Sequence, residues 1–162
     1  MQERQIGNRT VSAIGLGEMP LSIEGRPDRT QAISTIHASL DAGVTIIDTA
    51  DAYALNTEEH GHGERLVAKA LATYGGSTDQ VLVATKGGHR RPGDGSWTIH
   101  GDPAYIKEAC DASLKALGVE AIGLYRSAGY VEVPAFNDEP YAHHWFQKQL
   151  GTPPELSVPG SS

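Results

Sequence analysis

Three side chains with acid–base chemistry fall at promising places in this sequence: Asp48, Tyr53 and Lys86. Asp48 closes the β-branched run VTII at 44–47, Tyr53 follows in the same turn, and Lys86 stands just beyond the apolar run VLVA at 81–84. α/β folds place their chemistry on polar residues at the C-terminal ends of parallel strands. A lysine ammonium beside a phenol favours the phenolate. A carboxylate holds that ammonium charged and oriented, so the phenol can give or take a proton at a carbonyl oxygen. Four more residues are candidates around such a centre. His89, Trp97 and His100 lie in the stretch that follows Lys86, and Arg126 lies beyond the apolar run at 121–125. Either imidazole could orient a carbonyl, the indole could line a pocket, and the guanidinium could bind a carboxylate or enolate or pair with Asp48.

Strands and helices must alternate to bring these groups together, and the periodicity supplies that. The run VSAIGL at 11–16 reads as a strand closed by Gly17. A helix starts at Pro27–Asp28, with Gln31 placed as in a capping box; Ile33, Ile36 and Leu40 form its apolar face, and Gly43 stops it. Leu66, Val67, Ala70 and Leu71 repeat at helical spacing from Gly63 and end at Gly75–Gly76. The stretch 87–101 reads as a long loop. Asp102 and Pro103 start a third helix, in which Ile106, Ala109, Cys110, Ser113, Leu114 and Leu117 share one face. A fourth, weaker strand follows at 121–125. The alternation gives an α/β fold with parallel strands covered by helices.

Composition narrows the class. The chain has 162 residues, a formal net charge of −7 and one cysteine, Cys110. A single cysteine allows no intrachain disulfide and fits a reducing compartment. An acidic surface does not release counterions from nucleic acid. No apolar run approaches a membrane span, and the N-terminus lacks the apolar stretch of a signal peptide. The expected location is the cytoplasm, with no nucleic-acid or membrane partner. The histidine pairs His60/His62 and His143/His144 do not have the spacing of a metal site.

Four strand–helix units use up the chain, whereas a closed (β/α)8 barrel needs ~250 residues. The expected architecture is a parallel (β/α)4 half of a TIM-type barrel over residues 1–134. A Pro-rich tail follows over 135–162, with a short aromatic helix at 141–150 covering the barrel mouth or a dimer edge. Open sheet edges favour a homo-oligomer.

Several of these segments, in order, resemble the aldo/keto reductase family. RQIGNRTVSAIGLGEM is similar to its N-terminal hairpin and first strand, AGVTIIDTADAY to its second-strand motif and VLVATKGG to its third. The helix bearing Cys110, Ser113–Leu114 and Leu117–Gly118–Val119 is similar to the family's third helix. The resemblance implies a parallel barrel, NADPH, and a carbonyl reduced by hydride transfer with Tyr53 as proton donor beside Asp48 and Lys86. It also puts Gly17, Glu18 and Met19 beside the cofactor, if NADPH binds. It covers the family's N-terminal half; strands 5 to 8, which supply most of the grip on NADPH, have no counterpart. The family's fourth-strand histidine, which orients the carbonyl, is Ala128 here. No phosphate-cradling glycine loop replaces the missing half.

The leading expectation is therefore a small enzyme without a cofactor of its own, doing redox-neutral chemistry (enolisation, dehydration or cyclisation) on a carbonyl-containing small molecule. Tyr53 would be its acid or base, with Arg126 or a loop histidine steadying the developing oxyanion. The alternatives are an NADPH-dependent reductase completed by dimerisation or a partner chain, and a non-catalytic remnant or interaction module.

Overall fold

The computed structural model describes residues 1–118 and the two short strands 131–133 and 145–147. The chain divides into two compact units, Met1–Val119 and Glu120–Ser162.

The first unit opens with a hairpin of β1 (Glu3–Ile6) and β2 (Arg9–Ser12), paired antiparallel. Its two-residue turn has Gly7 at φ +59°, the position where a tight hairpin turn takes glycine. The strand expected over 11–16 is therefore two pieces. Val11 and Ser12 finish the hairpin, and the chain bends before β3 (Leu16–Gly17). Gly15 is the reason the bend fits: a Cβ there would meet the backbone oxygen of Ile46 at 3.2 Å.

β3, β4 (Ile46–Asp48) and β5 (Leu82–Ala84) form a parallel sheet in that order. Gly17 pairs with Asp48, and Asp48 with Ala84, so the strand ends are level. α1 (Arg29–Asp41) and α2 (His62–Thr73) cover the sheet. Asp28 caps α1 by accepting the Gln31 N–H at 2.9 Å. Ala32, Ile36 and Leu40 from α1, Ile47 from β4, and Leu66, Val67 and Ala70 from α2 make one buried cluster. Each larger aliphatic side chain there contributes about 1.5–3 kcal/mol by leaving water. Two polar contacts fix how the helices sit together. His37 Nε2 lies 2.8 Å from the Ala70 carbonyl, and the Tyr74 hydroxyl donates to Asp41 at 2.7 Å.

α3 (Pro103–Ala116) is capped by Asp102, which accepts from the N–H groups of Ala104 and Tyr105. Its apolar stripe is narrower than its sequence implies. Ala109 and Ser113 are buried, while Ile106 and Cys110 are exposed. The helix meets α2 through its small residues, which leaves the bulkier side of the stripe open.

The stretch expected as a loop after Lys86 is also structured. β6 (His89–Arg90) and β7 (Thr98–Ile99) pair antiparallel into a second hairpin. Gly88, Gly93 and Gly95 supply the positive φ values that fold it back.

In the second unit, β8 (Val131–Val133) pairs antiparallel with β9 (Trp145–Gln147). A strand thus replaces the aromatic helix expected over 141–150, at least for residues 145–147. The β-branched and aromatic residues of both segments favour the extended state. The fourth strand expected at 121–125, Arg126, Ala128 and His143–His144 lie outside the described residues. Among the described residues, no helix is long and apolar enough to cross a membrane.

Candidate active site

Register alone delivers two members of the site. Asp48 ends β4, and the chain beyond β5 runs on alongside it, with the Thr49 N–H bonded to the Ala84 carbonyl at 2.8 Å and the Asp51 N–H to that of Lys86 at 3.1 Å. Lys86 Nζ consequently donates to both Asp48 oxygens, at 2.9 and 2.8 Å, and to the Thr49 carbonyl at 2.8 Å. About half of each side chain is exposed, so this pair fixes geometry more than it adds stability.

The turn after β4 brings in the third. Ala50, Ala52 and Ala54 are all buried, which anchors the turn and leaves Tyr53 half-buried between them. The Gly63 N–H donates to the Tyr53 carbonyl at 3.1 Å, tying this turn to α2. Lys86 Nζ stands 4.8 Å from the centre of the Tyr53 ring. Burial pulls the Lys86 pKa down, but its bonds to Asp48 and Tyr53 outweigh burial and hold it above the usual lysine value. The ammonium is firmly charged beside the phenol.

The second hairpin builds the wall. Trp97 meets the Tyr53 ring edge-on, with centroids 6.3 Å apart, and the His89 ring at 6.1 Å. Behind Trp97 the fully buried Arg91 stacks 4.2 Å from the indole and pairs with Glu24, which braces the wall from the β3–α1 connection. Met19, Tyr53, Lys86, His89 and Trp97 then enclose a cavity of about 280 Å³ over a floor of Ala50, Asp51 and Ala52. Pockets that bury drug-sized ligands run about 300–1,000 Å³, so this space suits a small molecule with a few polar atoms.

The structure thus gathers Asp48, Tyr53, Lys86, His89, Trp97 and Met19. It does not bring in His100, whose ring packs 4.3 Å from that of Tyr105 on α3. Of the two loop histidines, only His89 lines the cavity. Gly17 lies outside it, in a groove shared with the first hairpin. Glu18, expected at a cofactor, is fully buried: it accepts from Ser22 and, at 3.0 Å, from Thr49.

Among the residues lining this cavity, Lys86 is the one permanent cation, and Asp48 already holds it, so this cavity by itself offers no free cation to a pyrophosphate.

The sequence reading missed Asp51 and Glu64, both buried acids close to the site. Their signal was present: an acid inside the alanine-rich turn 50–54, and another on the apolar side of α2 beside Leu66 and Val67. Glu18, which the sequence put beside a cofactor, is a third buried acid near them. Burial raises its pKa from 4.5 to about 7, and nearby Glu64 adds to the rise. Between those two values the folded chain keeps a proton that the unfolded chain has lost, so stability falls as pH rises from 4.5 through 7. Glu18→Gln removes that slope. Its melting temperature should exceed the wild type's at pH 8 and converge on it at pH 4.5. A gap that stays constant across that range contradicts a buried, protonated Glu18.

Comparison with known proteins agrees with this architecture. The model of the aldo/keto reductase family matches residues 13–132. Among solved structures, AKR11C1 of Bacillus halodurans, an aldo-keto reductase in its holo form, shares 35% identity over 74% of this chain, with a TM-score of 0.58. The Pseudomonas aeruginosa protein PA4992, assigned to the aldo-keto reductases, shares 25% identity over 72% of this chain, with a TM-score of 0.59. This chain covers 37% and 43% of those two chains, less than half of either. With a parallel sheet, polar groups at its strand ends and a family match over most of its length, the chain belongs to the aldo/keto reductase family.

Proposed function

We propose that the chain is a proton-transfer enzyme acting on small carbonyl compounds without a cofactor of its own. Tyr53 hydrogen-bonds the carbonyl oxygen and gives it a proton as negative charge develops there, Lys86 stabilises the phenolate that remains, and Asp48 keeps Lys86 charged and aimed. His89, which lines the same cavity, would make a second contact to that oxygen. Reactions that need only this are redox-neutral: enolisation, and the dehydrations or ring closures that pass through an enol. The observation that carries the reading is the Asp48–Lys86–Tyr53 arrangement at the edge of a cavity of about 280 Å³ whose one lysine is already held by Asp48.

NADPH-dependent carbonyl reduction, in a site completed by a second copy or another chain, is the competing reading. It is supported by membership of the family and by Met19 lining the cavity. NADPH titration of the full chain, followed by calorimetry, separates the two. The redox-neutral reading expects no saturable binding up to millimolar cofactor. Saturable micromolar binding replaces it with the reductase reading. In either case the substrate is a small carbonyl compound, and we take the oligomer to be a homodimer formed along the open sheet edges.

A further inference from the structure

A cavity of about 560 Å³, twice the volume of the catalytic one, opens between the start of α1 and the start of α2. Its polar lining comes from three parts of the chain: Arg26 in the β3–α1 connection, Asp28 and Arg29 at the start of α1, and His62 and Arg65 on α2. Leu21 and Leu66 give it apolar sides. It shares no lining residue with the catalytic cavity.

Two anchors draw the cations together. Arg26 Nη1 donates to the Ser22 carbonyl at 3.3 Å, and His62 Nδ1 lies 3.0 Å from the Ser22 hydroxyl oxygen. Arg26 also donates to the Glu59 carboxylate at 2.8 and 3.2 Å. Arg65 donates to the Glu59 carbonyl at 3.2 Å and to that of His60 at 2.9 Å. Arg29 is exposed and forms no ion pair among the described residues.

The acids nearby do not cancel this charge. Glu59 is taken by Arg26, and Asp28 accepts the Gln31 N–H as the cap of α1. Glu18 lies behind Ser22, whose hydroxyl donates to it. Three arginines against Glu59 and Asp28 leave an excess of one positive charge, in a chain whose net charge is −7.

We propose that this cavity binds a phosphorylated small molecule, its phosphate held by Arg26, Arg29 and Arg65 with His62 beside it. Guanidinium groups arriving from three parts of the chain match a tetrahedral oxyanion with several acceptor oxygens, whereas a planar carboxylate offers two. The volume lies within the usual range of small-molecule sites, so Leu21 and Leu66 have room to cover the rest of the ligand. A phosphate monoester brings about two negative charges, and a proton taken up by His62 completes the balance. Without an anion the surroundings favour the opposite state. Burial holds the His62 pKa below its ordinary 6.5; Arg26 lowers it further, Glu59 opposes this, and Arg65 and Arg29 add to the lowering. An anion seated among these arginines reverses that bias.

Proton NMR of the histidine rings in the full chain tests the site, with inorganic phosphate as the probe at constant ionic strength. His62→Gln identifies the His62 resonance. Phosphate should raise the His62 midpoint by about one pH unit, as a nearby opposite charge does, and leave His89 unmoved. Succinate should move His62 less. Arg29→Ala, at an exposed position, should weaken phosphate binding by about tenfold, the loss of one charge-assisted hydrogen bond. A His62 midpoint that ignores phosphate, follows succinate equally, or responds unchanged in Arg29→Ala overturns the proposal. If that variant fails to fold, phosphate against succinate on the wild type still decides. The result is independent of the carbonyl reading, because none of these residues lines the catalytic cavity.

Discussion

Tyr53→Phe is expected to lower carbonyl turnover by about 10²- to 10⁴-fold, the usual contribution of a positioned general acid. The substitution deletes one oxygen and leaves the ring in place, with Trp97 edge-on at 6.3 Å and the Lys86 ammonium 4.8 Å from its centre. Stability should therefore move by less than about 0.5 kcal/mol, as for changes outside the core. Steady-state rates and thermal melts on the same preparation check both halves. Turnover within threefold of wild type would mean that another group protonates the oxygen. Lys86→Met should lose rate as well, because the phenolate would then form without its cation.

A large effect on stability is expected one residue before the site. Ile47 is fully buried at the centre of the core, between the Ile36 and Leu40 side of α1 and the Leu66, Val67 and Ala70 side of α2. Truncation to alanine removes three carbons and leaves a cavity that the paired strands on both sides cannot close. The expected cost is about 2–5 kcal/mol. Small domains are stable by only about 5–15 kcal/mol, so much of the population unfolds under mild denaturant. Because Ile47 and Asp48 share β4, the Asp48–Lys86 contact should be lost in the same transition. Urea unfolding read by circular dichroism gives the number, and a loss below 1 kcal/mol would contradict the packing described for β4.

Most of the site was legible in the sequence because it depends on strand ends. A β-branched run followed by Asp48, and an apolar run followed by Lys86, place two side chains together once the strands are parallel and in register. Tyr53 comes with them through the short turn. The caps were legible for a similar reason, since Asp28 and Asp102 act on backbone groups two or three residues away.

What escaped depends on contacts that no local pattern records. Val11–Leu16 reads as one strand, yet Gly15 must pass close to Ile46, and the chain bends there. The 87–101 stretch, rich in glycine and polar residues, reads as a loop, but positive φ at Gly88, Gly93 and Gly95 closes it into the hairpin that carries His89 and Trp97. Cys110 shares a helical stripe with Ala109, but α2 reaches only the small residues of that stripe, so Cys110 is exposed. Asp51 and Glu64 went unread because their burial comes from how the 50–54 turn and α2 pack together.

The central claim is that this chain by itself moves protons at a carbonyl. Incubating the full chain in D₂O with a panel of small ketones and aldehydes, and following deuterium entry beside the carbonyl by proton NMR, addresses it most directly. The account predicts enzyme-dependent exchange into at least one class of carbonyl compound, lost in Tyr53→Phe. Exchange no faster than in buffer across the panel, or exchange that survives in Tyr53→Phe, would contradict it.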